Sequence, residues 1–204
     1  MKQRIRTVPN LADTSPVHQE ALAKGDDHFF SWQYNVEDRF KEKTTQEIKQ
    51  ELKDTSFPYA ICMEHLIGDF NFGTVVRNAN AFNAREMFYL GDKKWDRRSS
   101  VGCHCYTDVQ WLPTIEDFIK LQERYTIVGV DNVPGAIPIS KYRFEPNTLL
   151  VFGEEGVGLT PATQSFCKDI VYIEQFGSVR SINVGTASGI VMHEFVSRYR
   201  SNNL

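Results

Sequence analysis

Apolar residues along this chain fall in short bunches separated by polar turns, and their spacing switches between a strand-like and a helix-like period. Apolar runs at 59–63, 87–90, 109–112, 126–130, 148–152 and 170–173 have the length of strands buried on both faces. Between them, helical spacing predicts helices over 72–82 and 114–124, a short helix from Pro161 and a last helix over about 183–200. Strands alternating with helices imply an α/β fold, a parallel sheet covered by helices on both faces. On these grounds alone the connections would be ordinary and unknotted.

Residues 1–56 differ in texture, with charged and polar residues dominating. Val36, Phe40, Ile48 and Leu52 recur at multiples of four, which predicts a helix over about 36–53 with a narrow apolar stripe. The expected organisation is therefore a polar, helical extension over 1–56 followed by one domain over 57–204.

Composition narrows the class. With 41% apolar residues in 204, the chain can build a real core and is not a disordered protein. It contains no run of about 18 apolar residues, and its basic first ten residues lack the apolar centre of a secretory signal. A soluble, cytoplasmic protein with no membrane partner is expected. Cys62, Cys103, Cys105 and Cys167 have no zinc-site spacing, although Cys103 and Cys105 would share one side of an extended segment; free thiols and no metal are expected.

The net charge of −3 argues against a uniformly basic nucleic-acid binder. Distribution changes that picture. Lys93, Lys94, Arg97 and Arg98 gather around Trp95 just after a predicted strand, cations interleaved with an aromatic as a phosphate-contacting loop requires. A solvated charged turn is the alternative.

The most telling segment is 149–159, where an apolar run breaks into Gly-Glu-Glu-Gly-Val-Gly-Leu. Three glycines within six residues permit positive φ, and Thr160 and Pro161 carry the N-cap and first-position signals of a helix. Strand, tight loop, helix follows. No Lys-Ser/Thr completes a phosphate cradle, and Glu154 and Glu155 would repel phosphate, so a neutral or cationic ligand group is implied near this turn. Further on, 178–190 places Ser181 and Asn183 ahead of Ala, Ser and Gly residues that let a helix approach other backbone closely. Upstream, Asn71 is a plausible N-cap for a helix with Val75, Ala79 and Phe82 on one face and Arg77 in its first turns.

Together these three segments resemble the signature motifs of the SpoU (TrmH-like) branch of the SPOUT methyltransferases. The first is similar to N-x-G-x-x-x-R-x-A-x-A-F-G at Asn71, Gly73, Arg77, Ala79, Ala81 and Phe82; the second to F-G-x-E-G-x-G-L at Phe152, Gly153, Glu155, Gly156, Gly158 and Leu159. The third is similar to S-L-N-V-S-x-A-x-G-I at Ser181, Asn183, Val184, Ala187, Gly189 and Ile190. The resemblance runs from about 57 to about 200. Asn83 departs from a usual turn glycine, Ile182 from a usual Leu, and Gly185 from a usual Ser, removing a hydroxyl.

The resemblance implies a C-terminal trefoil knot, a homodimer with shared sites, and S-adenosylmethionine-dependent methylation of a ribose 2′-hydroxyl in tRNA or rRNA. It assigns cofactor binding to Val130, Gly153, Ile173, Ile182 and Asn183, with a side chain at Gly153 expected to invade the cofactor's space. It assigns the central catalytic part to Arg77, helped by Asn71, Glu155, Ser181 and Asn183, with Glu155 ordering the loop and Arg77. Arg180 joins Lys93, Lys94, Arg97 and Arg98 as an RNA contact, and the N-terminal helix either packs on its own domain or extends that RNA surface. Arg77 is either a general base or a clamp on phosphate and developing alkoxide. A guanidinium with a pKa above about 12 makes the clamp the less costly role. Two other classes compete: an inactive RNA-binding protein that kept the fold, and a generic nucleotide-dependent α/β enzyme, which the missing phosphate loop disfavours.

Overall fold

The computed structural model describes residues 36–66 and 70–203. Residues 1–35 of the expected extension lie outside the described residues. In chain order the main elements are α1 (Thr45–Asp54), β1 (Phe57–Leu66), α2 (Phe70–Ala81), β2 (Ala84–Gly91), β3 (Val109–Trp111), α3 (Ile115–Ile119) and β4 (Thr126–Val130). Then come β5 (Ile137–Pro138), β6 (Thr148–Phe152), α4 (Pro161–Phe166), β7 (Asp169–Tyr172) and α5 (Val184–Asn203).

Among the described residues the seven strands are parallel and run in the order β3-β2-β1-β6-β4-β7-β5. Alternation along β1 sorts the core into two layers. Tyr59, Ile61 and Met63 face one side, under Phe72, Val75, Val76 and Ala79 of α2 and Val191, Met192 and Phe195 of α5. Ala60 and Cys62 face the other, with Phe118 of α3 and Leu121, Tyr125 and Leu159. Both faces of the central strands are thus covered, which is why those strands read as continuous apolar runs.

Three expectations are corrected. The N-terminal helix starts at Thr45, because Thr44 caps it: its hydroxyl accepts from Glu47 N at 3.3 Å while Glu47 Oε2 accepts from Thr44 N at 2.8 Å. Residues Asp38–Phe40 form a separate 3-10 turn, and Phe40 and Ile48 are buried against Tyr106, so the apolar stripe packs on the chain's own domain. The helix expected over 114–124 is α-helical only to Ile119 and tightens to a 3-10 turn over Lys120–Glu123. Residues Cys103–Cys105 form a 3-10 turn instead of an extended segment, and none of the four cysteines is in a disulfide. The edge strand β5 had no sequence signal, being two residues long with a proline. Among the described residues no helix is long and apolar enough to cross a membrane, and no group of three or more potential metal ligands occurs.

Asn83, the departure from a turn glycine, has φ of +44° just beyond the end of α2. Asparagine tolerates that left-handed conformation, and its side chain donates to Thr55 Oγ1 at 3.1 Å. Asn83→Gly should therefore change stability by only a few tenths of a kcal/mol, whereas Asn83→Val should cost about 1–2 kcal/mol. Equilibrium urea unfolding of the two variants measures the difference.

Candidate functional site

At the C-terminal edge of the sheet β6, β4 and β7 end side by side, and the loops that follow them enclose a cleft of about 600 Å3. The loop after β6 closes on itself where Gly158 N donates to Glu154 O at 2.9 Å. Gly156 and Gly158 have φ of +95° and +76°, values that side chains disfavour. Gly153 is glycine for another reason. A Cβ there would lie 2.1 Å from the carbonyl carbon of Gly158, so a side chain would strike the loop's own backbone before it reached the cleft.

Two carboxylates that the sequence pattern did not single out hold this loop. Asp131, just past β4, accepts from Leu159 N at 2.8 Å and from Asn132 N at 2.7 Å. Glu64 in β1 is buried and accepts from Thr160 N at 2.8 Å, Thr163 Oγ1 at 2.5 Å and the Thr160 hydroxyl. Each had a faint signal: a lone acid inside an apolar strand must find partners, and an acid at a strand's end faces the loop edge.

The three motif segments meet at one junction. Asn71 Nδ2 donates to Glu155 Oε2, Asn183 Nδ2 donates to Asn71 Oδ1 at 2.8 Å, and the same amide lies 3.3 Å from Glu155 Oε1. Asn183 Oδ1 also accepts from Thr186 N at 3.2 Å, so this residue caps α5 while bridging the motifs. Asn71 is not a cap. It lies within the first turn of α2, and its side chain serves the junction.

Behind the junction α5 lies close on α2. Asn78 Nδ2 donates to Gly185 O at 2.8 Å and Ser188 Oγ at 3.0 Å, and a Cβ on Gly185 would come within 2.9 Å of Thr74 Cγ2. The departure at Gly185 is thus a packing device that lets the helices touch. Gly73 does the same for the basic loop, its absent Cβ leaving room for Ser99 and Ser100.

Val130, Gly153, Ile173, Ile182 and Asn183 all line the cleft, as do Glu155, Arg180 and Ser181. Arg77 and Asn71 do not. Arg77 stands on the exposed side of α2, opposite the buried Val75, Val76 and Ala79. Among the described residues that line the cleft, Asp131, Glu154 and Glu155 stand against the single cation Arg180, so this lining favours a cationic ligand group. Burial pushes the Cys167 thiol up to about 11 and the Cys62 thiol higher still, which leaves neither as a ready nucleophile.

In the basic loop Lys93, Lys94 and Arg97 are exposed, but Arg98 is engaged by Asp96, its Nε 2.9 Å from both carboxylate oxygens. Trp95 is not interleaved with the cations as an outward aromatic. Its ring packs inward on Phe72 at 4.6 Å and His104 at 5.8 Å, anchoring the loop to α2.

Residues 58–193 match the model of the SpoU rRNA Methylase family. The chain is 27% identical over 157 residues to the 23S rRNA (guanosine-2′-O-)-methyltransferase RlmB of Acinetobacter baylyi, covering 73% of this chain and 63% of that protein. It is 25% identical over 162 residues to the mitochondrial rRNA methyltransferase 1 of Dictyostelium discoideum, covering 72% of this chain and 30% of that one. The chain therefore spans less than two thirds of the length of either relative. Its fold is shared with the TrmH/SpoU tRNA modifying enzyme of A. aeolicus, at a TM-score of 0.69 and 18% identity over 78% of this chain and 84% of that one. It is shared too with the SpoU methyltransferase AviRb of Streptomyces viridochromogenes, solved in complex with AdoMet, at a TM-score of 0.63 and 22% identity over 72% of this chain and 60% of that one. With the family model matched across more than half its length, and the three motif segments joined in space, the chain belongs to the SpoU rRNA Methylase family.

Proposed function

We propose that this protein transfers a methyl group from S-adenosylmethionine to a ribose 2′-hydroxyl of tRNA or rRNA, in the cytoplasm and as a homodimer. The observation that carries this reading is the Asn71–Glu155–Asn183 junction, which ties the three motif segments together at an acid-lined cleft. The cleft's volume lies in the range of about 300–1,000 Å3 usual for cofactor sites. Its lining suits this cofactor: Val130, Ile173 and Ile182 offer apolar surface to a purine, and three carboxylates face a sulfonium charge.

Val130, Gly153, Ile173, Ile182 and Asn183 would hold S-adenosylmethionine, which would supply an electrophilic methyl group to the 2′-oxygen and leave as S-adenosylhomocysteine, the hydroxyl proton passing to solvent water. Glu155 and Asn183 fix the cleft mouth, and the exposed Ser181 hydroxyl faces the incoming ribose. Arg77 clamps the neighbouring phosphate and the developing alkoxide, a role that asks no deprotonation of a guanidinium. Lys93, Lys94, Arg97 and Arg180 hold phosphates; Arg98, paired with Asp96, contributes less.

The position of Arg77 outside the lining of its own chain's cleft supports the homodimer, with the arginine of one copy serving the cleft of the other. The reading includes a C-terminal trefoil knot, supported by the fold shared with the TrmH/SpoU tRNA modifying enzyme. A cytoplasmic location is supported by four cysteines of which none is in a disulfide. The RlmB relative is named for guanosine in 23S rRNA and another relative for guanosine 18 of tRNA, which supports an RNA ribose as the target class.

Gly153→Val should lower S-adenosylmethionine affinity at least about tenfold in calorimetry, by disordering the 153–159 loop. Unchanged affinity in the folded variant would remove the loop from the cofactor site. Arg77→Lys should keep cofactor affinity and lose about a hundredfold in single-turnover rate, since a point charge replaces a planar fork. An RNA with a 2′-deoxy sugar at the target should bind and accept no methyl group, and its methylation would point to a base as the target. Mixing Arg77→Lys with Gly153→Val chains should restore part of the activity in mixed dimers, and its absence would count against a shared site. Replacing Lys93, Lys94 and Arg97 by alanine should weaken RNA binding and flatten its log–log salt dependence by about 0.7 for each phosphate no longer held. An unchanged slope would leave these cations as a solvated turn.

A further inference from the structure

Four large apolar side chains are exposed among the described residues, and three of them, Val157, Phe176 and Val179, stand on the two loops that flank the cleft. Scattered exposed apolar groups are ordinary in a folded protein; their concentration around one opening is not. Phe176 is the extreme case at 94% exposure. It follows Gln175, which lines the cleft, and precedes Gly177, beside which nothing approaches within 4 Å of a Cβ position. The ring therefore stands off the protein at the cleft's rim. Residues 176–180 are all exposed, and the segment ends on Arg180, whose carbonyl is held by Asn132.

An aromatic ring and a guanidinium on one short loop beside a ribose-accepting cleft form the pair that single-stranded RNA takes, a flat face for a base and a cation for the phosphate next to it. A protein partner would call for a broad apolar patch free of charge at its centre. Resting on the function proposed above, we propose that Phe176 is a stacking platform for a base at or next to the methylated nucleotide, holding its ribose over the cleft. Phe176 is then a positioning residue for the substrate. It leaves the cofactor untouched, because its side chain is not part of the cleft lining.

The test uses the full chain with a single-stranded oligoribonucleotide carrying 2-aminopurine, whose fluorescence is quenched on stacking. The native chain and Phe176→Trp should quench it. Phe176→Ala and Phe176→Leu should lose the quenching and bind about tenfold more weakly, with S-adenosylmethionine affinity by calorimetry and oligomeric state by sedimentation unchanged. Leucine keeps apolar bulk without a ring, so native quenching and affinity in Phe176→Leu would overturn the stack. A loss of cofactor affinity in Phe176→Ala would overturn it in favour of a direct role in holding the cofactor, and dissociation of the oligomer in favour of a subunit interface. A native chain that methylates RNA while all three variants match it sinks the platform alone; one that transfers no methyl to any RNA sinks the functional reading and the platform with it.

Discussion

Parallel strands impose the geometry on which everything else here depends. A parallel neighbour is reached only by a crossover, so every loop leaving a strand's C-terminal end opens on one edge of the sheet. In the order β3-β2-β1-β6-β4-β7-β5, the ends of β6, β4 and β7 are adjacent, though they lie far apart along the chain. The Gly-Glu-Glu-Gly loop, the Asp131 turn and the approach to α5 are therefore neighbours by construction. The Asn71–Glu155–Asn183 junction then fixes that neighbourhood to within a hydrogen bond.

Most of the fold was legible because its signals are local. Strands 126–130 and 148–152 were readable to the residue, as they are apolar on both faces and bounded by polar turns. Thr160 and Pro161 announced α4 for an equally local reason. What escaped depends on distance in sequence. The early end of the first helix pattern hid a capping box at Thr44 and Glu47, and the break before it leaves Phe40 and Ile48 packed on the same tyrosine, so the stripe mimics one continuous helix. The inward turn of Trp95 depends on Phe72 and His104, which no local pattern couples to it.

The site was legible in identity more than in cause. The expected cleft residues do line one cleft, yet the reasons differ from those the spacing suggested. Gly153 yields to its own loop's backbone, Gly185 to the β-branched Thr74, and Gly73 to the basic loop. A motif glycine marks close approach without saying what approaches, and only the folded chain names the neighbour. Glu64 and Asp131 illustrate the converse. They lie outside the motif positions, yet together they hold the end of the loop that the motif names, at Leu159 and Thr160.

Charge is unevenly divided in space, and on the proposed function that division reconciles an acidic chain with an anionic polymer. Asp131, Glu154 and Glu155 line the cleft with Arg180, whereas the exposed cations Lys93, Lys94, Arg97 and Arg77 lie outside its lining. On the proposed function the acidic excess inside favours a sulfonium, and cations kept outside the lining are free for phosphate. The close approach of α2 to α5, and of the basic loop to α2, holds the helix that carries Arg77 against both the basic loop and the helix that begins at the cleft. On the proposed function, Arg77 outside its own chain's cleft has to reach the ribose by something that moves or assembles. Assembly of two copies is the arrangement proposed here, because it brings a second α2 to the cleft without any rearrangement within one chain.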